Sequence, residues 1–425
     1  MIPEWMSHPL RTVGHMVRFI HTADWQLGMT RHFLQGEAQA RFTQARIEAI
    51  DEIGRLALAN GCSFVVVGGD VFESNHVERR VVLRALDAMG STPDVTYYLL
   101  PGNHDPLDAS SVFTSSAFLS HRPDNVIVLD STEPVEVAPG VELVGAPWPN
   151  KQPGCDLVSA AMRSADTGCG ETGSGETGSG FPASADTVSG VESSGNPHHG
   201  GAATLRIVVG HGAIDYLCPE HDAPEVLRLA DLEEAVTAGS VHYVALGDRH
   251  SVTSVGSTGR IWYSGAPEPT DFDEVEPARA LVVELTSDSV DVEAHRIGRW
   301  TFARSTIELS AAEDISALGE YLESFPDKQR TILKLALVGQ LSLGDNAALE
   351  ELLALAGERF AAIQLWDLES DLVVVPDEED FETLGLSGFA EDALNDLRSL
   401  GAGEAMRLLY RLNSSSDLET NGVRS

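Results

Sequence analysis

Val17-Arg18-Phe19-Ile20-His21-Thr22-Ala23-Asp24-Trp25-Gln26 begins as a strand-like run, Val17 to Thr22, and delivers a carboxylate and an amide just beyond it. The same arrangement recurs along the chain. Gly68-Gly69-Asp70 follows Ser63 to Val67, and Gly102-Asn103-His104-Asp105 follows Val95 to Leu100. Gly210-His211-Gly212 follows Leu205 to Val209, and Gly247-Asp248-Arg249-His250 follows His242 to Leu246. Val141 to Ala146 also reads as a strand, while Glu37 to Asn60 places Phe42, Ile50, Ile53 and Leu56 at helical spacing. Such alternation predicts an α/β fold, in which the loops beyond the strand ends converge on one crevice.

Taken singly, each cluster has a plain structural explanation: an aspartate after a strand as a helix cap, Gly-Asn-His-Asp as a turn. Taken together they would gather several carboxylates and imidazoles in one place. Burying them without cations costs several kcal/mol per unpaired charge, and a metal cluster removes that cost. Glycines beside the candidate ligands let backbone and metal approach closely.

The rest of the chain sets limits on what this crevice can serve. At 425 residues the chain exceeds one compact domain. No apolar run reaches the roughly 18 residues of a membrane span, and no signal-like core opens the chain, so a soluble cytoplasmic protein without membrane contact is expected. Residues 1–15 form an N-terminal extension, with Met16 a candidate translation start directly before the first strand. Cys62, Cys155, Cys169 and Cys218 contain no paired spacing and read as free thiols, Cys62 as a strand-edge core residue. The net charge of −37 repels polyanions, which excludes a broad basic grip on nucleic acid and leaves only local or assisted contact with DNA. Lys151, Lys328 and Lys334 are the only lysines, so arginine carries most of the positive charge.

Between Lys151 and Ala203 the composition turns to Gly, Ser, Thr and Glu, with a tandem repeat at Glu171 to Gly175 and Glu176 to Gly180. A flexible insertion at about 163–203 is expected within a catalytic domain of 16–299, with His198 and His199 as solvated linker residues. Beyond it, Thr301 to Leu309, Thr331 to Leu343 and Ala361 to Val375 read as strands, and Ala311 to Ser324 and Asn346 to Phe360 as helices. This predicts a small α+β domain at 300–375. Residues 376–425 carry the acidic Asp377 to Glu382 and a helical region containing Leu394, Leu397, Leu400, Met406, Leu408, Leu409 and Leu412, suited to packing or to a partner helix.

The order and spacing of the clusters resemble the calcineurin-like metallophosphoesterases. Within that superfamily His21-Thr22-Ala23-Asp24-Trp25, Gly69-Asp70-Val71-Phe72, Pro101-Gly102-Asn103-His104-Asp105 and Tyr263-Ser264-Gly265-Ala266-Pro267-Glu268 look like the SbcD branch of DNA repair nucleases. The likeness covers about Val17 to Leu285 outside the insertion, and more loosely the second domain. It implies a four-layer αββα metallophosphoesterase sandwich with a small α+β capping domain. It also implies two divalent metal ions: one held among Asp24, Gln26, Asp70 and His250, the other among Asp70, Asn103, His211 and Asp248, with Asp70 as the bridge. The mixed nitrogen and oxygen set suits Mn²⁺, with Fe, Zn or Mg as alternatives. In such a pair, about 3.5–4 Å apart, the metals activate a hydroxide for in-line displacement. The same resemblance implies that His104 stabilises the phosphorane charge or protonates the leaving oxygen, with Asp105 able to orient it.

Two positions depart from the branch pattern: Gln26 and Asp248 both stand where it has histidine. Asp248 is a competent oxygen ligand, whereas an amide binds a divalent cation less strongly than imidazole. Arg249 has no counterpart and is suited equally to a substrate phosphate or to a neighbouring acid. Trp25, Trp148 and Trp262 read as core residues before they read as base-stacking platforms. The resemblance implies a metal-dependent phosphodiesterase, a DNA exonuclease acting in DNA repair with an SMC-like ATPase of the SbcC type. Alternatives are a phosphoesterase for nucleotides or small phosphate esters, and a scaffold weakened in catalysis that binds a partner ATPase. A homodimer is among the assemblies open to such a chain.

Overall fold

The computed structural model describes residues 16–167, 204–218, 222–375, 389–400, 402 and 405. The N-terminal extension, most of the Gly/Ser-rich segment with His198 and His199, Asp377 to Glu382, and Met406 onward lie outside the described residues. Two compact units emerge. The first comprises the described residues up to Met29, Ala45–Glu268 and Glu274–Gly298; the second comprises Thr30–Gln44, Pro269–Asp273 and the described residues from Arg299 onward. The division is not linear, since Thr30–Gln44 and Pro269–Asp273 fall within the 16–299 stretch expected to be one domain.

The first unit is built on two six-stranded sheets. One contains β1 (Val17–Thr22), β2 (Phe64–Val67), β3 (Thr96–Leu99), β4 (Val126–Val128), β11 (Arg279–Leu285) and β12 (Val290–Arg296), in the order β12-β11-β1-β2-β3-β4. The other contains β5 (Val135–Ala138), β6 (Val141–Gly145), β7 (Leu205–His211), β8 (Tyr243–Gly247), β9 (Thr253–Val255) and β10 (Ile261–Tyr263), in the order β5-β6-β7-β8-β10-β9. The central strands β1 to β4 run parallel, as do β6, β7, β8 and β10, so their C-terminal ends lie along one edge of each sheet.

Strand periodicity explains the layering, because successive side chains leave a strand on opposite faces. Phe64 and Val66 of β2 join Phe19, Leu143, Ile207 and Tyr243 in a core contributed by both sheets. Val65 and Val67 point the other way, into a core shared with Ile50 and Ile53 of helix α1 (Gly36–Ala59) and Val82 and Leu86 of α2 (Arg79–Gly90). On the second sheet Val208, Val244 and Leu246 pack against Val158 and Met162 of the helix Leu157–Thr167 and against Leu232 of the helix Leu229–Thr237. Apolar residues on both faces of a strand thus give helix, sheet, sheet, helix: the αββα sandwich. The helix Leu157–Thr167 also means that residues 163–167, expected to be flexible, belong to an ordered helix whose first turn is held by Asp156 accepting from Ser159 N at 2.9 Å.

In the second unit β13 (Thr301–Leu309) pairs in parallel with β14 (Thr331–Leu341), which pairs in parallel with both β15 (Ala362–Leu365) and β16 (Asp371–Val374). The unit is therefore assembled from βαβ crossovers rather than from hairpins with segregated helices. The helices Ala312–Glu323 and Leu343–Arg359 cover one face, with Ile315, Leu318 and Leu349 in one core with Leu333 and Leu335 of β14. Ala361 to Val375 is not one strand: the polar run Asp367 to Ser370 loops out, with Leu368 92% exposed, and separates β15 from β16. Likewise β14 stops at Leu341 because Ser342 caps the following helix, its hydroxyl accepting from Asp345 N at 3.0 Å. Among the described residues no helix is long and apolar enough to cross a membrane.

Candidate metal centre

Within the first unit, Asp24 and Gln26 follow β1, Asp70 follows β2, Asn103 and His104 follow β3, His211 ends β7, and Asp248 and His250 follow β8. Asp24, Asp70 and His211 are buried, and each offers a ligand atom within 4.8 Å of the others. His211 Nε2 lies 3.4 Å from Asp70 Oδ1 and 3.8 Å from Asp248 Oδ1, and His250 Nε2 lies 3.9 Å from Asp24 Oδ1 and 3.2 Å from Gln26 Nε2. Asn103 Oδ1 stands 3.1 and 3.2 Å from the Asp70 carboxylate oxygens and 2.9 Å from His211 Nε2, a meeting of lone pairs that either an amide reorientation or a cation relieves. The seven side chains expected to share a crevice are thus brought together from residues 24 to 250.

The backbone is bent to do this. Asp24, Gln26, Asp70 and Asp248 have φ of 54°, 44°, 51° and 99°, and they are four of the six non-glycine residues with positive φ among the described residues. Each such conformation costs on the order of 1–3 kcal/mol and persists only where surrounding bonds over-determine it. Those bonds run between neighbouring strand-end loops: Asp24 N donates to Gly69 O at 3.0 Å, Gln26 N to Asp70 O at 2.9 Å, and Asp248 N to Asp24 Oδ1 at 3.1 Å. Two glycines permit the close packing. A Cβ at Gly69 would lie 2.2 Å from His211 Nδ1, and one at Gly102 would lie 2.2 Å from Asp70 Oδ1.

The model of the calcineurin-like phosphoesterases matches residues 17–252, more than half of the chain. The chain belongs to that family. As a metallophosphoesterase it is similar to the SbcD component of the SbcCD nuclease of Rhodobacter capsulatus, with 26% identity over 289 residues. The match covers 61% of this chain and 64% of the relative, so it spans less than two thirds of that protein's length. Among solved structures it superposes on TT1561 of Thermus thermophilus with a TM-score of 0.35 and 7% identity, over 67% of this chain and all (100%) of that one. A dimetal phosphatase from Danio rerio gives a TM-score of 0.33 and 12% identity, over 66% of this chain and 98% of that one.

The hydrogen bonds around this metallophosphoesterase site fix its imidazoles. His211 Nδ1 meets the Gly68 carbonyl at 2.8 Å, so it carries the proton in the neutral ring, and Nε2 turns its lone pair toward Asp70 and Asn103. Trp148 Nε1 donates to His211 O at 2.9 Å, giving that buried tryptophan a bracing position; Trp25 is buried as well, and Trp262 packs beside the inter-sheet core. His250 Nδ1 faces Glu274 Oε1 at 3.3 Å. Glu274 was not evident from the sequence: it lies in an acidic loop with no distinguishing spacing and reaches His250 only through the fold. His104 is held by Nδ1 on the Glu73 carbonyl at 3.0 Å, and its backbone N donates to Asp70 Oδ1 at 3.0 Å. Asp105 therefore does not orient His104. Its two oxygens accept from Gly102 N at 2.8 Å and Phe72 N at 2.9 Å, tying the β3 loop to the β2 loop. Arg249 is exposed, donates from Nε to Thr253 Oγ1 at 2.9 Å, and has no carboxylate partner among the described residues.

Charge in this crevice is poorly balanced by protein alone. Burial pushes the Asp24 carboxyl up to about 6, and burial with the adjacent Asp70 pushes Asp105 up to about 7. Burial also raises Asp248. Although burial opposes charge on Asp70, His211 and His104 hold its carboxyl below the usual range; burial likewise opposes charge on His211, yet Asp70, Asp24 and Asp248 hold that imidazole well above its ordinary value. Gln26 is 3% exposed, and its Oε1 has no hydrogen-bond partner. Such an orphaned oxygen costs about 1–3 kcal/mol and is the atom through which an amide coordinates a cation. These residues fit a divalent metal centre.

Proposed function

We propose that this metallophosphoesterase is a DNA-directed phosphodiesterase of SbcD type, an exonuclease acting in DNA repair in the cytoplasm with an SMC-like ATPase of the SbcC type. In this reading two divalent ions, Mn²⁺ first among them, are held by Asp24, Gln26, Asp70 and His250 and by Asp70, Asn103, His211 and Asp248. Residues 300–375 serve as its capping domain. The observation that carries the metal assignment is the buried, unpartnered Gln26 Oε1 beside His250. The likeness to the SbcD component of the SbcCD nuclease supports a nucleic-acid substrate.

Bound metals would supply Lewis acidity and a nucleophile at neutral pH. The chain's own part is positional. His104, with a side chain 40% exposed and Nδ1 anchored on Glu73 O, is placed to hydrogen-bond a phosphoryl oxygen or to protonate the leaving oxygen through Nε2. Arg249 has guanidinium nitrogens left for a substrate phosphate. A second reading, hydrolysis of nucleotides or small phosphate esters, is favoured by the net charge of −37, which repels a long polyanion. Parallel assays on linear DNA, bis-p-nitrophenyl phosphate and a nucleotide monoester, each with and without chelator, separate the two. DNA degradation that requires added metal is expected, and monoester hydrolysis with intact DNA would refute the nuclease assignment.

Gln26 gives a sharper test. With an amide in place of imidazole, Mn²⁺ titration is expected to reveal two unequal sites. Gln26→His should tighten the weaker one roughly 10-fold and raise turnover at low metal concentration. Tighter metal binding with slower turnover would instead give Gln26 a direct role toward substrate, and no change in either would remove it from the metal shell.

A further inference from the structure

The second unit contains a cavity of about 340 Å³ lined by Arg31, Phe33, Phe272, Phe302, Lys334 and Gln364, with His32, Thr270, Asp271 and Leu365 completing the wall. Its floor is the face of the small sheet that the helices leave uncovered. Leu333 and Leu335 of β14 point into the helical core, so Lys334 between them leaves the opposite face, in register with Gln364 of β15.

The chemistry of this wall is unusual for so acidic a chain. Lys334, one of only three lysines, has its ammonium 5.4 Å from the Phe272 ring and 4.7 Å from the Trp366 ring, with no carboxylate partner among the described residues. Arg31 donates through Nη2 to the Thr270 carbonyl, and its Nε is buried without a hydrogen-bond partner. One carboxylate, Asp271, stands against these two cations. Phe272 and Phe302 meet edge to face with centroids 5.1 Å apart, and Phe33 adds a third ring. A cation pair beside aromatic faces suits a ligand with both an anionic group and a planar ring. The volume lies at the lower end of small-ligand pockets, about 300–1,000 Å³, which fits one base, one sugar and one phosphate rather than a polymer.

We propose that this cavity binds a nucleoside monophosphate, its phosphate held by Lys334 and Arg31 and its base laid against Phe33, Phe272 and Phe302, with the Gln364 amide facing the base edge. The assignment does not depend on the catalytic one, because binding here needs neither metal nor turnover.

Isothermal titration of the full chain in EDTA with AMP, adenosine and inorganic phosphate provides the test. AMP is expected to bind with a Kd of about 1 mM or tighter. Adenosine and phosphate should each bind roughly 10-fold more weakly or worse, and Lys334→Met and Phe33→Leu should weaken AMP binding, the former roughly 10-fold. Absence of AMP binding, phosphate alone binding as tightly as AMP, or an unaltered Kd in Lys334→Met would overturn the proposal. If either variant fails to fold, acetylation of the unaltered protein decides. AMP should slow modification of Lys334 and leave Lys151 as an internal reference, and an unprotected Lys334 would count against the site.

Discussion

Asp70→Ala is expected to lose bound metal and to lower phosphodiesterase turnover on the order of 1,000-fold. The size of the effect follows from position. Both Asp70 oxygens are drawn on: Oδ1 accepts from His104 N and lies 3.4 Å from His211 Nε2, while Oδ2 lies 4.0 Å from His104 Nε2 and 3.2 Å from the Asn103 amide oxygen. Of the neighbouring carboxylates, Asp24 and Asp248 are each assigned to a single proposed metal position, and Asp105 is engaged by two backbone amides. Elemental analysis after manganese loading, with bis-p-nitrophenyl phosphate hydrolysis on the same sample, gives the answer. Full occupancy with full activity would place Asp70 outside the metal shell. Asn103→Ala removes a single neutral group among the proposed ligands and should be milder in both measurements.

Asp105→Ala should act on stability first. It leaves Phe72 N and Gly102 N without partners in a region where Asp105 is 0% exposed, at about 1–3 kcal/mol for each amide. For a unit of this size that corresponds to a fall in melting temperature of roughly 5–15 °C. Asp105→Asn, which keeps one carbonyl acceptor, should recover part of the loss. A melting temperature for Asp105→Ala equal to that of the unaltered chain would mean that water or a backbone shift satisfies both amides, and that the carboxylate is not the tie between the loops.

What the sequence made visible is the part governed by local pattern. Val17–Thr22 and Thr301–Leu309 read as strands residue for residue, and the central strands lie within two residues of their expected ends, because each is a compact β-rich run bounded by glycine or polar residues. The candidate ligand clusters stand out for the same reason, as polar residues abruptly following apolar strands. Less visible were the three-residue strands β4, β9 and β10, too short to display a period, and the half-exposed β12, which owes its existence to pairing with β11. The contacts of Glu274 with His250 and of Asp105 with Phe72 N were hidden because they join segments whose approach only the folded backbone determines. Local spacing likewise cannot show left-handed φ at Asp24 or Asp70, since aspartate tolerates that conformation without requiring it.

The pairing of β1 with β11, in which Val17 faces Leu285 and His21 faces Leu281, sets a schedule on synthesis. β1, the first strand among the described residues, must wait for one of the last strands of its unit before its second edge is covered. At about 5–20 residues per second that interval lasts on the order of tens of seconds. Throughout it a hydrophobic strand edge stands open beside Asp24, a group destined for a shared crevice whose remaining side chains are still being made. A nascent chain in this condition is a natural client for chaperones, and a ribosome-stalled fragment ending before Arg279 should be far more prone to aggregate than one extended past Leu285.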